Sequence, residues 1–314
     1  MIGGLPGAVE DPGVGAVVEV LLDGLLADAV SPDPDGAAAT TDASALAAHR
    51  EHRVAWYGDL VGALRVPASS VAGVRAALLP RDHARPVTLV VDTAAADPGA
   101  DLAAYTLLLD DDRVEVRGVE LPLPGAPSPA EAARRALATL HVSVPAWFVV
   151  PPLPGWEAAR DVIAEDVAPL LPPETDLAGA ARLLRHAVDR ELPFAVTAGE
   201  LPLVTGPGAA GVGLLNLLGA VRAALNGAAP DELAAVLAST AEDPLAAAAR
   251  RMSDADAAVV RAFLPAVTCP SIRRTVSDLE AAGPDRLRRR LIRVTAPGAG
   301  RENHPQGRRP TPEE

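Results

Sequence analysis

Three side chains set the first chemical question. Asp92, Glu120 and Arg65 lie at the C-terminal ends of the apolar runs "VTLVVD", "VEVRGVE" and "VGALR". A pair of carboxylates can divide the work of general acid and general base. An arginine offers a planar fork of donors to a carboxylate or a phosphate. Asp28, which ends "LLAD", would complete with Asp92 and Glu120 an oxygen set for a divalent metal. A second group comes later: Thr197 in "PFAVTAG", then Gly206, Gly208 and Gly211, and Asn216 in "GLLNLL". A glycine loop before a helix can cradle a phosphate on backbone N–H groups. Beside these readings stands the structural one, in which the polar residues cap strands or form ion pairs and the glycines turn the chain.

The three glycines spell G-x-G-x-x-G between a strand pattern and a helix pattern. A dinucleotide fingerprint also needs a second strand about 20 residues on, ending in an acidic residue that holds the ribose. Here helix follows helix. Asp231 stands near that distance, but it heads "DELAAVL" and reads as a helix cap. Pro207 removes an N–H from the loop. The loop therefore reads as an anion site or a simple turn. His49 and His52 flank Glu51 three apart, with no third ligand nearby in sequence, and read as a solvated helix face. Cys269 precedes Pro270 and a helix pattern and reads as an N-cap or a small structural residue. Arg273 and Arg274 nearby would lower its thiol pKa.

The composition removes whole classes of chemistry. The chain has 314 residues and no lysine, so all 28 basic residues are arginine. Pyridoxal-phosphate enzymes, Schiff-base enzymes and P-loop NTPases each need a lysine amine. A net charge of −13 opposes binding to nucleic acid or an anionic membrane. The basic run "RLRRRLIR" at 286–293 reads as a solvated helix face. One cysteine allows no internal disulfide. The start "MIGGLPGAVEDPG" lacks a signal-peptide pattern, and no apolar run is long enough to span a bilayer. A cytoplasmic location is the expectation.

These residues need elements to position them. Residues 1–13 read as a flexible start, 14–295 as a single domain with a helical C-terminal extension, and 296–314 as a disordered tail. Within the domain helix and strand patterns alternate about every 25–30 residues. Strands are predicted over 25–30, 61–68, 85–93, 112–123, 145–153 and 193–199, with a possible short one at "VAPLL", 167–171. "VGLLNLLGAVRAAL" reads as a short strand passing into a helix. The helix predicted over 128–140 opens with Ser128 as cap, Pro129 and Glu131. The strands are continuous apolar runs, the mark of a parallel sheet covered on both faces. The expected fold is a (β/α)8 TIM-barrel-like domain with one strand degenerate or missing. The alternative is a doubly wound open parallel sheet.

Several stretches in order resemble landmarks of an uncharacterised, mainly actinobacterial protein family with no established activity: "LLDGLLADAVSPDP", "LRVPAS", "GVELPLP", "PFAVTAG", "GLLNLL" and "AVTCPSIRRTVSDLEAAG". The resemblance spans residues 15–283. Its pattern has a lysine–arginine–diglycine segment where this chain reads "PPETDLAGAARLL". It has a histidine pair after T-A-G where this chain has Glu200, and a histidine–glycine where this chain has Val212 and Gly213. The resemblance thus implies a degenerate member, a pseudoenzyme that binds a small anionic metabolite or a protein partner. Two alternatives stay open. One is a lyase or isomerase using Asp92, Glu120 and Arg65, with or without a divalent metal, on a phosphorylated or carboxylated metabolite. The other is a nicotinamide-dependent oxidoreductase.

Overall fold

The computed structural model describes residues 21–29, 42–83, 87–92, 106–122, 146–149, 168–171, 176–198, 201–206 and 211–282. The expectations for 1–13, the 128–140 helix, the 286–293 run and the 296–314 tail lie outside these residues.

The strands form one curled, all-parallel sheet flanked by helices. Its members are β1 (Leu26–Ala29), β2 (Val61–Pro67), β3 (Val87–Asp92), β4 (Val114–Pro122), β5 (Ala146–Val149), β6 (Ala168–Leu171), β7 (Ala195–Thr197) and β8 (Val267–Cys269). Each pairs with the next in chain order, and β8 also pairs with β1. The order never reverses, so these strands contain no switch point of the doubly wound kind. The short "VAPLL" strand exists as β6, so its slot is filled.

Helix α1 (Asp42–Val54) joins β1 to β2, and α2 (Val71–Ala77) joins β2 to β3. α3 (Leu177–Asp189) joins β6 to β7. The Asp176 carboxylate caps it by accepting the Gly179 N–H at 2.6 Å. Between β7 and β8 run α4 (Leu214–Leu225), α5 (Pro230–Ala238), α6 (Glu242–Arg250) and α7 (Asp254–Phe263), and α8 (Ile272–Ala282) follows β8. α4 buries Leu214, Leu215, Leu217, Leu218, Ala220, Val221 and Ala224, because it packs among α3, α5, α6 and α7. α7 opens on a capping box in which Ser253 Oγ accepts the Asp256 N–H.

β8 lies where the sequence predicts no strand, and the short strand expected at the start of "VGLLNLLGAVRAAL" does not form: from Leu214 the chain is α4, and Val212 and Gly213 precede it, with Gly213 at its N-cap. β8 is only "VTC", set between Pro265 and Pro270. Its Val267 N–H donates to Leu25 O at 2.9 Å, and its Thr268 O accepts the Ala198 N–H at 2.8 Å. Cys269 therefore ends a strand rather than capping a helix.

Alternation sorts each strand's residues onto two faces. Leu64, Val66 and Leu89 lie in the core between sheet and helices with Leu46, Val71 and Val74. Arg65, between Leu64 and Val66, takes the concave face, in register with Ala29 of β1 and with Val90 of β3. At the other end of the strands Asp111 accepts two hydrogen bonds from the Arg113 guanidinium, at 2.8 and 2.6 Å, and one from its backbone N–H. These hold its carboxyl down at about 2.

The β1–β2 junction has no room for a side chain. Gly24 turns the chain at a positive φ of 59°, and its carbonyl oxygen would lie 2.3 Å from a Cβ at Gly62. Both sides of that contact are backbone. Gly62→Ala should therefore cost about 1–3 kcal/mol through overpacking. Urea denaturation reads the loss, and an unchanged midpoint would contradict this packing.

Candidate functional site

The concave face holds a charged pair. The Arg65 Nε–H donates to Glu120 Oε2 at 2.6 Å, with the Glu120 side chain 3% exposed and that of Arg65 22% exposed. The sequence puts these residues 55 apart, and parallel pairing of β2, β3 and β4 brings them together. Pro67, Asp92, Glu120 and Trp147 form one register row across β2 to β5. Asp92 is the register partner of Glu120 on the neighbouring strand. On β7, Thr197 pairs in register with Thr268 of β8. Thr268 alternates with Cys269, whose thiol bonds toward Thr275 and Ser271 at the start of α8. Both threonines therefore belong to the concave face. Thr197 Oγ1 is buried and has no hydrogen-bond partner among the described residues.

The proposed metal set does not assemble. Asp28 lies on the helix-covered face, where its Oδ2 is 3.4 Å from His49 Nδ1 of α1. Glu120 faces the opposite side of the sheet. Among the described residues no three His, Cys, Asp or Glu side chains are placed to hold a metal ion.

The glycine-loop reading also changes. The loop's own carbonyls and one side chain consume the N–H groups at the start of α4. Leu214 N–H donates to Pro202 O and Leu215 N–H to Leu203 O, both at 2.9 Å, and Gly213 N–H donates to Thr205 Oγ1 at 2.9 Å. An anion finds those donors spent. Asn216 lies in the first turn of α4, fully buried, rather than at a strand end. Its Oδ1 accepts the Thr205 N–H at 2.9 Å, and its Nδ2 donates to Val236 O and Ser239 O at 2.8 Å each. This amide ties the loop to α4 and α5. Gly206 ends the described part of the loop and Gly211 resumes it, while Gly208 lies outside the described residues. Asp231 falls in the first turn of α5, where the Glu232 carboxylate accepts the Ala229 N–H. α4 leads to α5 rather than to a strand ending in an acid, so a dinucleotide fold is not formed here.

A second polar cluster was read wrongly from sequence. His49 and His52 are not a solvated face; they are 0% and 8% exposed. They continue the buried stripe of Ala45 and Leu46, with i, i+3, i+4 and i+7 spacing. His52 Nδ1 and the Tyr57 hydroxyl share a hydrogen bond of 2.9 Å. His49 has no hydrogen bond at either ring nitrogen among the described residues. Cys269 lies in register with Asp28. Burial first, and then the Asp28 charge, pushes its thiol up to about 12. It stays protonated at neutral pH, which reverses the lowering expected from the nearby arginines and removes a thiolate nucleophile.

No family model matches this sequence, and no curated protein or solved structure does. The class defined here is thus an α/β protein with a curled parallel sheet and a charged pair on its concave face.

The histidine cluster carries a pH signature. Burial is the largest influence on His52 and lowers its pKa below 6.5. Asp28 and Glu51 oppose that shift, while Arg273 and His49 add to it. Lowering means that the unfolded chain takes up the proton first. Stability is therefore full above 6.5 and declines as pH falls from there toward the folded value. Urea unfolding followed from about pH 7.5 to 5 should show this loss, and His52→Gln should reduce it. A slope identical in the variant would contradict the assignment.

Proposed function

We propose that this protein binds a small anionic metabolite, carboxylated or phosphorylated, on the concave face beside Arg65, and does not turn it over. The Arg65–Glu120 pair carries the reading. It combines a partly exposed guanidinium with a buried carboxylate at strand C-terminal ends, where proteins of this architecture place their chemistry. Thr197 adds a buried hydroxyl on the same face. Binding without turnover is supported by the departures from the resembled family, with Val212 and Glu200 at histidine positions. Membership of that actinobacterial family belongs to the same proposal.

The finer fold assignment, a (β/α)8 barrel, is supported by the in-order pairing and by the contact of β8 with β1. No described helix is long and apolar enough to cross a membrane. The proposal places the protein in the cytoplasm, where a lone free thiol is ordinary.

A second reading, an acid–base lyase or isomerase, is favoured by one observation. Asp92 and Glu120 are direct register partners on neighbouring strands. Under it Arg65 holds the substrate's anionic group while the carboxylates move a proton. Turnover of any bound metabolite by the purified protein would select this reading over the first.

A thermal-shift screen against phosphorylated and carboxylated metabolites, with and without Mg²⁺, tests binding directly. A true ligand at about 100 times its Kd adds about 2.7 kcal/mol of stability. The double variant R65M/E120L removes both charges and should fold but lose every shift. Arg65→Met alone breaks the ion pair to the buried Glu120 carboxylate and should destabilise the protein more than the double variant does. Ligand shifts that survive in the double variant would overturn the site.

A further inference from the structure

Titratable groups gather where the last strand meets the first. Asp28 of β1 lies in register with Cys269 of β8, and His49 of α1 approaches Asp28 at 3.4 Å. His52 follows His49 on the same buried stripe, with the Tyr57 hydroxyl at its Nδ1. From α8, Arg273 meets Glu51 of α1 at 3.3 Å, and both side chains are 69% exposed. Asp59, in the turn after α1, is exposed as well. The β2 and α2 side chains buried beside α1 are Leu64, Val66, Val71 and Val74, which carry no charge. Arg50 of α1 is bonded to Asp82.

The other buried acids are held differently. Arginine pairs with Asp82, Asp111 and Glu120, and its charge does not change with pH. Among the described residues, Asp28 has only a histidine within ion-pair distance, and histidine is the residue type that changes charge near neutrality. Asp28 can balance one imidazolium. A second one, three residues along the same helix face, adds a like charge inside the layer, and burial already opposes a proton on His52. The junction these groups occupy is short. β1 and β8 have four and three residues, whereas β3 and β4 have six and nine.

We infer that Asp28, His49 and His52 form a pH-operated latch on the β1–β8 seam. With at most one imidazolium beside Asp28 the seam is closed. With both histidines protonated it opens locally, while β3 and β4 stay paired. The latch bears on the concave face, whether or not a ligand binds there, because Ala29 follows Asp28 and Thr268 precedes Cys269.

Cys269 reports the opening. It is the single cysteine of the chain and is 0% exposed. Its labelling rate with a pyridyl disulfide, divided at each pH by that of the urea-unfolded chain, gives the open fraction. Global unfolding at the same pH, from urea titration, sets the rate expected without a latch. At pH 5.5 labelling should run about tenfold or more above that rate, and the open fraction should rise about tenfold or more from pH 7.5 to 5.5. His52→Gln should reduce that rise to about twofold or less. Labelling no faster than global unfolding allows overturns the latch. So does an open fraction that does not change with pH, or a rise undiminished in His52→Gln. Should His52→Gln not fold, the midpoint of the wild-type rise decides. It must coincide with the titration of the His52 ring followed by carbon-13 NMR, and a midpoint elsewhere overturns the latch.

Discussion

The two-residue alternation of strands covered on both faces decides where every polar side chain of this protein goes. Asp28 and Ala29 are neighbours, yet Asp28 meets His49 in the helix layer while Ala29 lies in register with Arg65 on the concave side. A slip of one residue in β2 would turn Arg65 into the apolar layer and Leu64 out of it. Leu64, at 1% exposure, and Val66, at 0%, fix that register by burial. The charged pair thus depends on the hydrophobic packing of its own strand neighbours. The register must also hold across three strands, since β3 lies between the strands that carry Arg65 and Glu120.

The pair is a modest source of stability and a demanding one. The lost hydration of two charges removed from water is offset only when their geometry and hydrogen bonding are good. Breaking such a pair costs more than replacing it with apolar residues. A fold seeking stability alone would fill this place with leucine, as it fills Leu64 and Leu89 behind it. A charged pair kept at the strand ends, next to Asp92 in register, makes chemical sense as a receptor. The spent polar groups elsewhere sharpen the contrast. Asn216, Thr205 and the first N–H groups of α4 are all committed to the protein itself.

Much of the frame was legible because strands buried on both faces read as plain apolar runs. "VGALRVPA" and "RPVTLVVDT" became β2 and β3 with ends shifted by one or two residues. The short strands were harder. β8 has three residues between two prolines, too few for any periodicity to register. Its signal was the β-branched pair Val267 and Thr268 inside that bracket. Of the site, the strand-end positions of Arg65 and Glu120 were legible, but their direct pairing, which needs the register of β2, β3 and β4, was not. Asp28 has the same position but the opposite parity, which sequence position alone did not reveal. His49 and His52 were misjudged by residue type, although their spacing with Ala45 and Leu46 marked a core stripe. Asn216 was misplaced because the strand expected before it is a loop.

The central claim is that the guanidinium of Arg65, held by Glu120, is the group a ligand meets. Nitrogen-15 NMR of arginine Nε–H groups reports on it directly, with the Arg65 signal assigned by its loss in R65M/E120L. The account predicts a slowly exchanging Arg65 signal, shifted by its 2.6 Å bond to Glu120, that moves on saturation with a metabolite that raises the melting temperature while the Arg113 signal at Asp111 stays still. An Arg65 signal unmoved by a ligand that demonstrably binds would contradict it.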